Sequence, residues 1–342
     1  MTHSIQMLKT IMMVFVMAFF LSCNSGPKSS DKEKTDKDIV EKSDEKESDF
    51  KISLAQWSLH KTYFGGPITD WREFARLIKE SPDSVLKGEA DPMDFPELAA
   101  GYGIKSIELV NTFYFTKVED MEYWSEFKQK CEDSGVSVGL IMCDLVGNLA
   151  DADPQVRLKA VEDHYKWVDL AAFLGARSIR VNAGGEGTAE EVAANAVDGL
   201  SKLGVYGASK GINIIVENHG GYSSDGSWLS GVMKKIDMEN VGTLPDFGNF
   251  CVKYGTDGCE ESYDKYKGMA EIIPFAKGVS AKSNQFDENG NEVNSDYLRI
   301  MKIVKESGFK GYVGIEYEGV ELSEDEGIKA TKALLEKVFN EI

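Results

Sequence analysis

No two of the five cysteines stand in CxxC spacing, which leaves out a paired-cysteine zinc site or a thioredoxin-type redox motif. Positive charge is scarce as well: 38 lysines and arginines stand against 57 acidic residues, a formal charge of −19. Such a field repels phosphate backbones and anionic membrane surfaces, so no nucleic acid partner is expected and there is no basic groove to receive one. No Gly-rich dinucleotide loop follows the first apolar run of the folded part, which argues against an open doubly wound sheet. The apolar run Ile11 to Leu21 falls short of the ~20 residues a membrane-spanning helix needs.

What that run does fit is an export signal. Lys9 precedes it and Ser22 and Cys23 follow it, the order of a signal peptide. Phe20, Leu21, Ser22 and Cys23 resemble the bacterial lipoprotein cleavage box, in which the cysteine becomes the lipidated first residue. From Asn24 to Asp49 only Ile39 and Val40 are apolar, so this segment cannot bury enough surface to offset its ordering entropy. The expected organisation is a signal over 1–23 with Cys23 as lipidation site, a disordered charged tether over 24–49 and a folded domain over 50–342. The chain would then be an exported lipoprotein on the periplasmic or cell-surface side, touching the membrane only through its lipid. Cys131 and Cys143 read as core, while a Cys251 to Cys259 bridge is conceivable in an oxidising compartment.

With hydrophobic residues at 42% and charged residues at 28%, the remainder has the composition of an ordinary folded protein. Beyond Phe50 short apolar runs alternate with longer amphipathic ones, the pattern of repeated βα units. The runs predict strands at Lys51 to Trp57, Ile104 to Val110, Val136 to Cys143, Ala176 to Asn182, Ile212 to Glu217, Val241 to Asp246, Lys277 to Lys282 and Tyr312 to Glu316. Glycine-containing turns at Gly135, Gly175, Gly211 and Gly308 stop the preceding helices. Eight strands alternating with helices predict a closed (β/α)₈ TIM barrel. The stretch Gly65 to Ala100 is longer than a normal βα connection, with a helix expected over Asp70 to Glu80 and another from near Pro92. Either it shapes a site or it decorates the surface.

In such a barrel active groups sit at the carboxyl ends of the strands. Those ends place Trp57 and His60, Glu108, Asp144, Asn182, Glu217 with His219, Asp246 with Asn249, Lys282 with Asn284, and Glu316 around one mouth. Glu217, Asp246 and Glu316 each follow a buried apolar run, and an isolated buried charge is costly. They must be paired, protonated or bound to a cation. A divalent ion with oxygen ligands answers their mutual repulsion, and so does neutralisation by Arg180 or Lys282. Trp57 and His60 suit a sugar, the aromatic face stacking on a pyranose while the polar neighbour orients hydroxyls.

The ordered series Glu217, Asp246 and Glu316, each closing its strand, resembles the xylose-isomerase-like superfamily of sugar isomerases, ketose epimerases and inosose dehydratases. The resemblance spans roughly Lys51 to Ile342. It implies that Glu217, Asp246 and Glu316 are ligands to Mn²⁺ or Mg²⁺ and that the two glutamates flank the reacting carbons. The fourth ligand of such sites is a histidine from the seventh strand, where VSAKSN offers Ser280, Lys282 or Asn284 instead. Lysine is cationic and could take the cation's position by pairing with the carboxylates.

The expected function is an isomerase or epimerase that removes a proton beside a carbonyl of a non-phosphorylated carbohydrate, keto-sugar or cyclic polyol. Glu217 and Glu316 would be acid and base, and the metal or Lys282 would steady the enediolate. Trp57, His60, Glu108, Asn182, His219 and Asn284 are the expected substrate contacts. The same intermediate could lose a β-substituent, as a lyase or dehydratase acting on a 3-keto-glycoside or inosose. A non-catalytic carbohydrate-binding lipoprotein is the reading from a different class.

Overall fold

The computed structural model describes residues 48–256 and 258–342. The export signal, Cys23 and nearly all of the tether lie outside the described residues. Strands β1 (Phe50–Ala55), β2 (Ser106–Val110), β3 (Ser137–Met142), β4 (Ser178–Val181), β5 (Asn213–Glu217), β6 (Val241–Leu244), β9 (Val279–Ser283) and β10 (Gly311–Tyr317) form one sheet, and β7 (Cys251–Gly255) pairs with β8 (Gly258–Ser262) in a separate hairpin. In the sheet the order is β6-β5-β4-β3-β2-β1-β10-β9, eight strands all parallel. Main-chain bridges from Thr243 to Ala276 and from Asp246 to Ser280 join β6 to β9 and bring the barrel nearly to closure. That seam fastens Asp246 and Ser280 side by side before any side chain is considered.

Helices α1 (His60–Phe64), α2 (Trp71–Glu80), α3 (Phe95–Gly101), α4 (Met121–Ser134), α5 (Pro154–Leu174), α6 (Ala189–Lys210), α7 (Gly226–Ile236), α8 (Lys265–Ile272), α9 (Tyr297–Glu306) and α10 (Glu324–Glu341) alternate with the strands. Their starts follow capping chemistry. Asp70, Asp120, Asp153, Asp225, Asp264 and Asp296 each accept a main-chain N–H of the first turn, and Thr188 with Glu191 and Ser323 with Glu326 form reciprocal capping boxes. Their ends agree with the glycine reading: Gly175 and Gly211 cap α5 and α6 at φ 74° and 73°, a left-handed conformation that costs glycine nothing.

The strands are buried along nearly their whole length, with Leu54, Ile107, Leu109, Ile179, Val181, Ile214, Val216, Val279 and Ile315 essentially without solvent contact. This is what a parallel sheet covered by helices requires. The expected strands are all present, with ends that differ by a few residues. The first gives way after Ala55 to a 3₁₀ turn over Gln56–Leu59, and the sixth ends at Leu244. The long connection after α1 holds α2 where expected, and a 3₁₀ turn at Pro92–Asp94 leads into α3. Cys251 and Cys259 are joined in a disulfide that staples the β7–β8 hairpin, while Cys131 and Cys143 are free and buried.

Candidate functional site

At the carboxyl ends of the strands a cavity of about 630 Å³ opens. Its floor is polar, formed by Asp144, Arg180, Asn182, His219, Asn249, Lys282, Glu316 and Glu318. Its rim is apolar: Trp57, Trp71, Phe74, Leu145 and Tyr254 face the opening. Trp71 is 59% exposed, Tyr254 63% and Leu145 39%, large apolar groups left in water around one mouth. Leu145 also holds a φ of 58°, strain of the sort that gathers at functional sites. Trp71, Phe74 and Ala75 come from α2, so the long connection shapes the cavity wall rather than decorating the surface.

Glu316 belongs to that floor and Glu217 and Asp246 lie behind it, with one oxygen of each of the three within 4.8 Å of the others. By spacing alone the three could hold one metal ion. What already touches their oxygens decides the fit. Asn249 Nδ2 donates to Glu217 Oε1 at 3.0 Å, and Arg180 Nε stands 2.9 Å from Glu217 Oε2, close enough for an ion pair but not aligned for a hydrogen bond. Asp246 Oδ1 accepts the main-chain N–H groups of Gly248 and Asn249, both at 2.8 Å. Ser280 Oγ lies 2.7 Å from Asp246 Oδ2 and 2.7 Å from Glu316 Oε2, bridging the two. Lys282 Nζ is 3.9 Å from Glu316 Oε1. Both oxygens of every carboxylate therefore face a protein group, and two of those groups are cations. With Ser280, Lys282 and Asn284 rather than a histidine along the seventh strand, the residues present do not fit a resident divalent ion.

The electrostatics follow from burial and these two cations. Burial pushes Glu217 and Asp246 up to about 7, with Arg180 and Lys282 respectively opposing the rise. Burial would also raise Asp144, but the Arg180 guanidinium, 2.5 Å from its Oδ1, holds it down to about 2. Glu318 is lowered in the same way by Lys282 Nζ at 3.3 Å. Lys282 in turn is held well above the ordinary lysine value, because Glu316 and Glu318 outweigh its burial. His219 is exposed at the cavity mouth, and the surrounding protein walls together with Arg180 lower it from the ordinary histidine value.

The structure brings most of the expected site residues together. Trp57, His60, Asn182, His219, Lys282 and Glu316 all line the cavity. His60 stacks on Trp57 at 4.9 Å between ring centroids and its Nδ1 meets Trp57 O at 2.8 Å, while Asn182 donates to Asp144. Three expectations need correction. Glu108 is not at the mouth: it sits mid-strand in β2, paired in register with Ala55 and Leu140, and points into the barrel interior, where Ser53 Oγ donates to it at 2.5 Å. Gly314 makes the room, since a Cβ there would lie 2.6 Å from the Glu108 carboxylate. Asn284 does not line the cavity either, and its main-chain N–H donates to Glu292. Glu217, expected to be half of the acid and base pair, lies behind Arg180 and Asn249 and does not reach the cavity wall.

Sequence reasoning named Ser280 only as a stand-in for the missing histidine and passed over Glu318. Glu318 was within reach of the period-two rule, since it stands two residues from the recognised inward-facing Glu316. Trp71 and Tyr254 carried no such signal, because they reach the mouth from α2 and β7, elements outside the eight barrel strands.

The family model described as Xylose isomerase-like TIM barrel matches residues 96–338. No curated protein sequence matches the chain. Among solved structures, a xylose isomerase-like TIM barrel protein from Mycobacterium smegmatis in complex with magnesium is 17% identical, with a TM-score of 0.59 over 85% of this chain and 97% of that one. The 3-keto-D-glucoside 4-epimerase from E. coli in its apo form is 14% identical, with a TM-score of 0.56 over 72% and 94%. D-psicose 3-epimerase from Clostridium cellulolyticum H10 with D-tagatose is 14% identical, with a TM-score of 0.58 over 73% and 94%.

Proposed function

This chain belongs to the xylose isomerase-like TIM barrel family, and on that premise we propose that it is a sugar isomerase or epimerase. Its substrate is a non-phosphorylated carbohydrate, keto-sugar or cyclic polyol, and its chemistry is proton transfer beside a carbonyl. The observation that carries the substrate class is the charge pattern of the cavity. Among the described residues that line it the basic side chains other than histidine are Arg180 and Lys282, and both are committed to carboxylates. A phosphate would find no free cation there and would meet Asp144, Glu316 and Glu318. Hydroxyl groups would find partners in Asp144, Asn182, Asn249 and Glu318, below the stacked face of Trp57 and His60. Support for the reaction class comes from the related folds of D-psicose 3-epimerase and 3-keto-D-glucoside 4-epimerase.

Glu316 is the strand-end carboxylate of the three that reaches the cavity, and it takes the proton from the carbon next to the carbonyl. His219, a neutral imidazole on the same wall, is placed to carry a proton to or from the substrate. Glu217 acts one step back, by orienting Arg180 and Asn249. Return of the proton to the neighbouring carbon gives isomerisation, and return to the opposite face gives epimerisation.

One observation favours the elimination alternative. A cavity of about 630 Å³ lies mid-range for ligands of drug size, roughly 300–1,000 Å³, and its outer half is aromatic. That suits a glycoside whose second group rests on Trp71 and Tyr254. A 3-keto-glycoside bound so would lose its aglycone from the same enediolate.

The test is incubation in D₂O with free aldoses, ketoses, cyclic polyols, 3-keto-glucose and 3-keto-glucosides, read by NMR. Deuterium at a carbon beside the carbonyl is the expected result, and release of the aglycone selects the lyase. Tight binding with neither exchange nor product would replace the enzyme with a sugar-binding protein. The reading also puts the enzyme outside the cytoplasm, held by lipid on Cys23, where unphosphorylated sugars are met and where the Cys251–Cys259 disulfide would persist.

A further inference from the structure

Three features of the floor belong together. Ser280 and Lys282 stand two apart on β9 and point to the same side, the first bridging Asp246 and Glu316, the second reaching past them into the cavity. Asn249 faces both ways: its Oδ1 accepts from Lys282 Nζ at 3.3 Å while its Nδ2 donates to Glu217. Gly248 leaves a channel for the lysine stem, since a Cβ there would lie 3.1 Å from Lys282 Cδ and 3.3 Å from Cγ. The ammonium thus ends among Glu316, Glu318 and Asn249, with its surroundings shaped from β6, β9 and β10.

We infer that Lys282, backed by Arg180, is the built-in positive charge over the reacting carbonyl, and that Glu316 and Glu217 hold these two side chains in place, with Asp246 fixing Asn249 and Ser280 beside them, rather than a divalent ion. The inference rests on the proton-transfer reading above. An ion bound to the carboxylates would sit roughly 2.0–2.6 Å from their oxygens. Arg180 Nε already stands 2.9 Å from one of those oxygens and Lys282 Nζ 3.9 Å from another, so ion and side chains would meet as like charges. Arg180 cannot swing aside freely, because Asp144 holds its other end. Lysine suits this role because a compact ammonium with three donors can keep its carboxylate and asparagine partners and still offer an N–H to the substrate.

The step balances without an ion. The proton on the carbon beside the carbonyl passes to the Glu316 carboxylate, and the C–H pair becomes the carbon–carbon double bond. The carbonyl π pair moves onto oxygen, and the Lys282 ammonium donates a hydrogen bond to that oxygen while keeping its proton. Reprotonation of carbon reverses the sequence.

The experiment needs no substrate, so its failure and that of the functional reading are distinguishable. The purified full chain, treated with chelator and desalted, is titrated with MnCl₂ in a calorimeter, beside Lys282→Met and, in case that variant does not fold, Lys282→Gln. The expected result is no saturable binding to the wild type up to about 1 mM, and a site in the lysine variant at least roughly tenfold tighter. Saturable wild-type binding below about 0.1 mM that Asp246→Asn abolishes would overturn the inference. So would a folded lysine variant that gains no affinity, since the lysine would then not be what keeps the ion out. Should neither variant fold, the wild-type titration decides. Once a substrate is in hand, turnover should survive EDTA and Lys282→Arg should retain far more of it than Lys282→Met.

Discussion

Arg180 Nε lies 2.9 Å from Glu217 Oε2, and both side chains are buried at the base of the cavity. The contact gives Glu217 a structural duty that its position at the end of an apolar strand does not disclose. Removing one member of a buried ion pair leaves an uncompensated charge, at a cost of about 3–5 kcal/mol. Asp144 remains on the other end of Arg180 and burial already disfavours the Glu217 charge, so Glu217→Gln should fall well below the lower end of that range. Urea unfolding at pH 8 would measure the loss. A variant as stable as the wild type would mean that the pair contributes nothing.

The cavity-facing carboxylate should behave differently. Glu316→Gln is expected to lower deuterium incorporation by roughly 10²-fold or more, the usual contribution of a positioned acid or base, with a smaller loss for Glu217→Gln. Equal losses would return Glu217 to the chemistry. Turnover without solvent deuterium would point to a hydride shift between neighbouring carbons and would remove the proton-transfer mechanism while sparing the enzyme.

Glu108, sealed in the barrel interior, makes stability depend on pH. Burial pushes its carboxyl up to about 7 from 4.5, against the hydrogen bond from Ser53. A raised folded value means that the native state holds the proton more tightly than the unfolded chain. The associated stability is fully present below pH 4.5 and is lost as pH rises through 7. The loss amounts to at most about 3 kcal/mol. Glu108→Gln should flatten this part of the profile when unfolding is measured at pH 5 and pH 8. Parallel profiles for the two proteins would show that Glu108 does not carry it.

The disulfide between Cys251 and Cys259 staples the hairpin that brings Tyr254 to the mouth. Replacing both cysteines by serine should leave the barrel folded and loosen the rim. The expected signature is a KM higher by about 3- to 10-fold, the cost of ordering a loop and its side chains on binding, with kcat little changed. A fall in kcat at constant KM would place the hairpin in the chemical step instead.

The proposed lipid anchor lies on residues before the described part of the fold. Cys23→Ala should abolish lipid labelling and move the protein from the membrane fraction to the soluble one. Continued membrane association of that variant would require another anchor.

The barrel was legible because its signals are local. An apolar run of strand length, a glycine that stops the preceding helix and an aspartate or serine that starts the next are each read within a few residues of chain. The carboxylates closing such runs at Glu217, Asp246 and Glu316 were legible for the same reason, since a charge after a buried run has few places to go. Depth was not. Glu108 and Glu316 both interrupt apolar strands, yet one sits inside the barrel and the other at its mouth. The difference lies in which residues they face in register, Ala55 and Leu140 for Glu108 and Lys282 for Glu316.

By itself, then, the chain's linear order determined the fold class, the end of the barrel that carries the site and the three carboxylates at its base. Only the tertiary structure decided what those carboxylates do. Arg180 and Glu217 meet across adjacent strands, Ser280 is fastened beside Asp246 by the closing seam, and Lys282 reaches Glu318 just past the end of the neighbouring strand. A carboxylate's preference for a metal, a proton or a side-chain cation depends on distances of a few ångströms between residues far apart in the chain. The strand tilt and register that set those distances come from packing the whole barrel, and no short stretch of sequence contains them.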